Sequence, residues 1–274
     1  MNLRGKTVLI TGASRGIGRA IALEMSRQGA GRVVLVGRDE ERLEDVAADL
    51  RILGTDPICL PLDLTQPVDV SIEIAQVWRD CGPIHLLVNC AGIAYQAPFL
   101  QAHLPHIQNE LSTNLLGTYT VTRLVARRMA ARGEGTIVNV SSLMGKVAAP
   151  TMATYSATKF ALLGFTQALR SELAEHNVRV VALLPTLTQT EMVQDFQWFR
   201  WTIPVSPETV ACKLVAGLRQ NSSEIWVGWQ SHLAIWLSRF VPGWLELALR
   251  MAAPKPHRPH YRYSRALRAV IGSN

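Results

Sequence analysis

Short apolar runs rich in valine, isoleucine and leucine alternate along the chain with longer stretches of helical period. KTVLI (6–10), RVVLVG (32–37), ICLPL (58–62), IHLLVN (84–89), GTIVNV (135–140), VRVVALL (178–184) and EIWVG (224–228) hold few polar positions, so they read as strands buried on both faces. Between them, GIGRAIALEMSRQG sets Ile17, Ile21 and Met25 on one helical stripe. YSATKFALLGFTQALRSELAEH does the same with Ala161, Phe165, Ala168 and Leu169. Alternation from end to end predicts an α/β fold, with a parallel central sheet of about seven strands and helices on both faces. Neither an internal repeat nor a linker interrupts residues 1–228, which read as one domain; 229–274 read as an extension rather than an independent domain.

The 274 residues suffice for a substantial core, and nearly half of them are hydrophobic. Cys59, Cys81, Cys90 and Cys212 show no C-x-x-C spacing, which argues against both disulfides and a zinc cage and fits a reducing, cytoplasmic setting. MNLRGKTVLI enters the first apolar run directly, without the layout of a signal peptide. The net charge of +7 is concentrated at the end: Arg250, Lys255, Arg258, Arg262, Arg265 and Arg268 face no acid there. The rest is nearly neutral, which excludes nucleic acid as a partner of the main fold and directs attention to the tail.

TGASRGIG (11–18) follows the first strand and opens the first helix. Gly12 suits a tight turn, Gly16 lets the backbone approach a phosphate, and Gly18 allows close helix–sheet contact. The helix N-terminus, with Ser14, Arg15 and Ile17 in the turn, then offers N–H groups to a pyrophosphate. The arrangement is that of a doubly wound Rossmann-type dinucleotide site. At the end of the second strand, Gly37 stands where an acid would select the unphosphorylated cofactor, and Arg38 follows it. Arg15 and Arg38 suit a 2′-phosphate, so the expected cofactor is NADP(H).

Tyr155 lies four positions before Lys159, which on a helix places both side chains on one face. With TGASRGIG, NCAG (89–92), Asn114 in NLLG and VNVSS (138–142), this order and spacing resemble the short-chain dehydrogenases/reductases over roughly residues 5–230. The wording of VSSLMGKVAAPTMATYSATKFALLGF is most similar to the branch containing 11-beta-hydroxysteroid dehydrogenases. The family's serine lies thirteen positions before the tyrosine, which selects Ser142 over Ser141. The resemblance implies a catalytic set of Asn114, Ser142, Tyr155 and Lys159, with Asn114 holding a proton-relaying water. It also implies cofactor contacts from Asp63, Leu64, Asn89, Ala91, Gly92, Pro185 and Thr190, and from Tyr155 and Lys159 themselves. Cys90 and Thr186 depart from the pattern, the latter replacing a glycine in the loop after the sixth strand. Chemically, a phenol near pKa 10 is a sluggish acid or base at neutral pH. An ammonium about 4 Å away, at an effective dielectric near 20, would favour phenolate by roughly 4 kcal/mol, about three pKa units. Tyr155 is thus expected to be tuned by Lys159, with Ser142 bonding the substrate oxygen.

The segment MVQDFQWFRWTIPVS (192–206) crowds Phe196, Trp198, Phe199 and Trp201 together. They could roof an apolar pocket or pack on the helices beneath. Leu143 and Met144, beside Ser142, add to an apolar surround, so a small hydrophobic carbonyl or alcohol is the expected substrate. The rivals are a 3-oxoacyl thioester and, outside enzymes, a non-catalytic dinucleotide-binding or membrane scaffold. Beyond 229, runs rich in Trp and Leu are broken by Ser238, Arg239 and Pro242-Gly243, too short to span a bilayer. Followed by basic residues, they suit an interfacial anchor on an anionic membrane, a subunit interface or a flap over the pocket. The family resemblance implies a homodimer or homotetramer.

Overall fold

In a computed structural model of the chain, residues 1–197, 199–200 and 202–254 are described. Seven strands, β1 (Thr7–Thr11), β2 (Arg32–Gly37), β3 (Asp56–Pro61), β4 (Leu86–Asn89), β5 (Gly135–Val140), β6 (Val178–Leu184) and β7 (Glu224–Trp226), coincide with the apolar runs. They form one parallel sheet in the order β3-β2-β1-β4-β5-β6-β7. The order reverses between β1 and β4, and the crevice at their carboxyl ends is where a doubly wound sheet binds ligands.

The absence of polar alternation in the strands has its cause in two apolar layers. Val8 and Ile10 of β1 face one layer with Ile21 and Met25 of α1 (Gly16–Arg27), Leu43 and Leu50 of α2 (Glu40–Ile52), and Leu214 and Leu218 of α7 (Pro207–Arg219). Leu9, between them, faces the other with Ile74 of α3 (Pro67–Cys81) and Val125 and Met129 of α5 (Thr118–Arg132). The edge strand β3 departs from the expected double burial, since Asp56 and Pro61 are exposed. It has one neighbouring strand, so its ends are less covered.

The helix α6 (Ala153–Ala174) also differs from its predicted stripe. Its buried positions are Ser156, Thr158, Lys159, Leu162, Thr166 and Leu173, and Ala168 is exposed. Phe165 instead meets the ring of Tyr119 on α5 at 4.1 Å. The buried face is partly polar because hydrogen bonds tie it to the sheet. The Asn89 amide donates to Asn139 Oδ1 and to Thr122 Oγ1, both at 2.8 Å, and the Asn139 amide donates to Thr166 Oγ1 at 2.9 Å. These bonds link β4, β5, α5 and α6 across side chains with almost no exposure. Periodicity of apolar residues cannot register such a face.

A buried polar group left without its partner costs about 1–3 kcal/mol. Asn139→Ala removes one of the two bonds donated by the Asn89 amide, which keeps Thr122, and the bond accepted by the Thr166 hydroxyl, which still donates to the Leu162 carbonyl, and is expected to lower unfolding stability by about 1–2 kcal/mol. Denaturant titration checks this; an unchanged midpoint would mean that the ladder does not fix α6.

Candidate active site

β5 ends at Val140 and hands the chain to two serines with different surroundings. The Ser141 hydroxyl is turned onto α6, donating to the Lys159 carbonyl at 2.8 Å. Gly145 permits this closeness: a Cβ there would lie 2.5 Å from Ser141 Oγ and 2.7 Å from that carbonyl. Ser142 begins a 3-10 turn (Leu143–Gly145), accepts from the Met144 N–H at 3.1 Å and faces the cleft. The hydroxyl available to a ligand is thus that of Ser142, the position the spacing selects.

Tyr155 and Lys159 sit one turn apart on α6. Lys159 is buried, donates from Nζ to the Val140 carbonyl at 3.0 Å, and lies 5.4 Å from the centroid of the Tyr155 ring. Burial pushes the phenol up to about 12; a side-chain interaction with Ser142 pulls it down, while Cys90 and Glu110 push it further up. Burial likewise drives the Lys159 ammonium down to about 8, opposed by Cys90. This corrects the expectation of a phenol lowered toward neutrality. Removal from water is the largest cause in both cases, because desolvation disfavours each charged form. Tyr155 is held protonated, as a proton donor must be.

Asn114 lies in a π-helical turn (Ser112–Gly117) between α4 (Leu104–Leu111) and α5. Its Oδ1 accepts from the Ile93 N–H at 2.8 Å, and its amide donates to the Ile93 carbonyl at 2.9 Å and to Thr158 Oγ1 at 3.2 Å. The side chain therefore pins the segment after Gly92 and the start of α6, without direct contact to Lys159 among these bonds. Gly92 brings that segment close: a Cβ there would stand 3.4 Å from Asn114 Oδ1 and 3.5 Å from Lys159 Nζ.

The glycine loop meets the requirements of a dinucleotide cradle. Gly12 has φ +68° and Gly16 φ +54°. A Cβ on Gly12 would lie 2.8 Å from Ala91 Cα, and one on Gly18 only 2.0 Å from the Gly12 carbonyl oxygen. Helix α1 starts at Gly16 with no side-chain cap, leaving first-turn N–H groups for an anion. Ser14, Arg15, Ile17, Arg38, Asp63, Leu64, Ala91, Pro185 and Thr190 line the same cleft. Thr190 also packs on the loop, its Cγ2 lying 3.1 Å from where a Gly16 Cβ would be. Arg38 is exposed and has no ion-pair partner among the described residues. These features fit NADP(H). Asn89 does not line the cleft; the amide ladder turns its side chain into the sheet–helix layer.

Thr186 departs from the resembled pattern without strain. It is not among the non-glycine residues of positive φ, and its methyl packs beside Gly228, whose φ is +86°. A Cβ on Gly228 would approach Thr186 Cγ2 to 2.8 Å, so the space missing at one position is supplied at the other.

The cleft, about 480 Å³, continues beyond Ser142 and Tyr155 between apolar walls. Leu143, Met144, Phe196 and Phe199 line this part; Trp198 and Trp201 lie outside the described residues. Leu245, Ala248, Leu249 and Ala252 of α9 (Pro242–Ala252) line the cleft as well. Sequence reasoning missed Glu191, whose carboxylate lies 3.0 Å from Arg15 Nη1 and also pairs with Arg42, tying the loop after β6 to the glycine loop. The two guanidiniums hold that carboxyl below its usual range. It also missed Glu110, almost fully buried on α4, which accepts from the Tyr95 N–H at 2.7 Å and is pushed up by burial. Neither position carries a sequence signal, since each acts through a partner far along the chain.

Comparison with known proteins agrees with this geometry. The profile described as short chain dehydrogenase matches residues 6–200. Ketoacyl reductase HetN of Nostoc sp. strain PCC 7120 is 35% identical over 229 residues, 81% of this chain and 78% of that one. Gluconate 5-dehydrogenase of Gluconobacter oxydans is 34% identical over 246 residues, 88% and 92% of the two chains. A short chain dehydrogenase from Burkholderia cenocepacia, solved in complex with NADP, superposes with a TM-score of 0.79 at 29% identity, covering 93% of this chain and all of that one. With a parallel sheet switched at β1 and β4, an uncapped glycine-loop helix and Tyr155 paired on α6 with a buried Lys159, the chain belongs to the short-chain dehydrogenase family.

Proposed function

We propose that the protein is an NADP(H)-dependent oxidoreductase that moves hydride between the nicotinamide and a lipophilic ketone, aldehyde or secondary alcohol of steroid, retinoid or other lipid character. The carrying observation is one continuous cleft, running from the glycine loop past Ser142 and Tyr155 to the apolar wall of α9. A polyol would leave its hydroxyl groups unpaired against Leu245, Leu249, Met144 and Phe196. NADP(H) is supported by Gly37 and Arg38 at the end of β2 and by the NADP-bound Burkholderia relative.

The bound dinucleotide supplies hydride in reduction and accepts it in oxidation. The protein supplies the proton. Tyr155 donates from its hydroxyl to the carbonyl oxygen as negative charge develops there, and Ser142 donates a hydrogen bond to the same oxygen. The remaining phenolate faces the fixed Lys159 ammonium, 5.4 Å from the centre of its ring, whose positive charge favours the anion. Lys159 acts in this reading on the product of proton transfer, rather than by ionising the phenol beforehand. Asn114 keeps Ile93 and the start of α6 in register and, by the family resemblance, supports a water behind Lys159.

Residues 1–228 make up the catalytic domain in this proposal, and 229–274 an extension of it that is not an independent domain, of which α9 lines the cleft. A homodimer or homotetramer is supported by the exposed Leu111, Leu116, Tyr119 and Phe160 near α4, α5 and α6. The protein is cytoplasmic and peripheral on an anionic membrane. A second reading, reduction of a 3-oxoacyl thioester, is favoured by the likeness to a ketoacyl reductase.

A panel of steroid, retinal, 3-oxoacyl thioester and sugar carbonyls, followed by NADPH absorbance, should give turnover with the lipophilic members and none with the sugars. Tyr155→Phe is expected to lower kcat by about 10²–10⁴ while leaving NADPH affinity nearly intact; turnover close to wild type would refute the acid role. Arg38→Asp should weaken NADPH by about 10–100-fold and leave NADH little changed, as measured by binding titration of each dinucleotide. The Lys159 ammonium has its pKa lowered from 10.5 to about 8. Between those values the unfolded chain binds the extra proton, so this group's penalty is full below pH 8 and fades as pH rises to 10.5. In the dinucleotide-free protein, unfolding stability relative to Lys159→Met should therefore climb by on the order of 3 kcal/mol across that window. A difference independent of pH, in parallel denaturation series, would contradict the burial of a charged amine.

A further inference from the structure

The helices α8 (Trp229–Phe240) and α9 present two faces of different use. The inner one, with Ala234 of α8 and Leu245 and Leu249 of α9, walls the cleft. The Ala252 carbonyl accepts from the Arg200 N–H at 3.0 Å, which ties the end of α9 to the loop carrying Phe196 and Phe199. The outer one is apolar and open. Trp229, Leu233, Trp236 and Phe240 fall on one stripe of α8 and are exposed, Trp229 by 64% and Phe240 by 62%. On α9, Trp244 is 75% exposed, with Leu247 and Met251 beside it on the same face. Ile203 extends the patch and is fastened to α8 through the Gln230 side chain, which accepts from its N–H at 3.1 Å.

The charge of the chain beyond α9 indicates the occupant of this face. Residues 255–274 contain Lys255, Arg258, Arg262, Arg265 and Arg268 and no acid. A second copy docked here would bring two basic tails together, whereas an anionic surface attracts each of them. Contact between copies has apolar residues of its own elsewhere, Tyr119 on α5 and Phe160 on α6. Three tryptophans on one surface match a residue type enriched at the headgroup level of bilayers. Among the described residues no helix is long and apolar enough to cross a membrane. The pair must then lie in the interface with its apolar side down.

We infer that α8 and α9 form a two-faced lid whose inner face is part of the substrate cleft and whose outer face seats on an anionic lipid bilayer, so that substrate enters the cleft from the lipid. The entry route rests on the lipophilic-substrate reading; the seating on lipid does not.

Flotation of the full chain with phosphatidylcholine vesicles, with and without phosphatidylglycerol, tests the seating. The protein should float with the anionic vesicles and far less with neutral ones, and Trp244→Glu should weaken the vesicle affinity by at least about tenfold. Wild-type protein that stays in the soluble fraction with both compositions overturns the proposal. So does a Trp244→Glu variant that loses native mass by light scattering without vesicles while vesicle binding is absent, since the face would then join two copies. The entry route is read from kinetics. For a long-chain ketone dissolved in anionic vesicles, Trp244→Glu should raise KM by about tenfold, while kcat and KM for a short water-soluble ketone stay unchanged. Equal changes for both ketones overturn the route. Absence of wild-type turnover with either ketone sinks the substrate reading and the route with it, while flotation still decides the seating.

Discussion

The Lys159 ammonium is fixed by a carbonyl at the end of β5 and sealed from water, with the Tyr155 ring across from it. A buried amine of this kind is unfavourable for folding, and its depressed pKa expresses that. The rest of the site is arranged so that the amine cannot escape. Ser141 holds the backbone of Lys159 to the strand, Gly145 lets the turn approach α6, and Asn114 and Thr158 brace the start of the helix. The amide ladder from Asn89 through Asn139 to Thr166 then locks α6 against the sheet. An isolated cation-and-phenol pair on a helix would have none of this; here the surrounding structure fixes in place an amine whose charged form burial disfavours.

The same economy of space governs the dinucleotide side. Gly12 and Gly18 exist where a single methyl group would collide with backbone, so the loop can close against Ala91 and its own first turn. Thr186 shows how such a constraint can be moved. The loop after β6 carries a side chain where its relatives are expected to have none, and Gly228, at the start of α8, yields the room. Glu191 joins this loop to Arg15 and Arg42 across the mouth of the cleft. Two segments that line the cleft, this loop and the glycine turn, are thus linked by an ion pair.

Beyond the sheet, α9 converts what would be an open crevice into a walled one. Its cleft-facing residues are small or aliphatic, and its other face carries Trp244 and Met251. A helix that is apolar on two sides has two apolar neighbours to satisfy, and the protein itself provides one.

The strands, their parallel order and the glycine turn were legible in the sequence because each is a local pattern: an unbroken apolar run between helices, and a spacing of glycines at a strand–helix junction. Tyr155 and Lys159 were legible together because one helical turn separates them, and Ser142 because its distance from Tyr155 is fixed along the chain. The polarity of the buried face of α6 was not, since Asn89, Asn139 and Thr166 find one another only when β4 and β5 pair. Nor was the direction of the Tyr155 shift, which depends on how completely water is removed, a property of the packed chain rather than of the spacing. The sequence determined which groups would meet on α6 and at the glycine loop. Tertiary structure decided their charge states, the inward turn of Asn89 and the use of α9 as a wall, because burial and contact between distant segments arise only after the layers have closed.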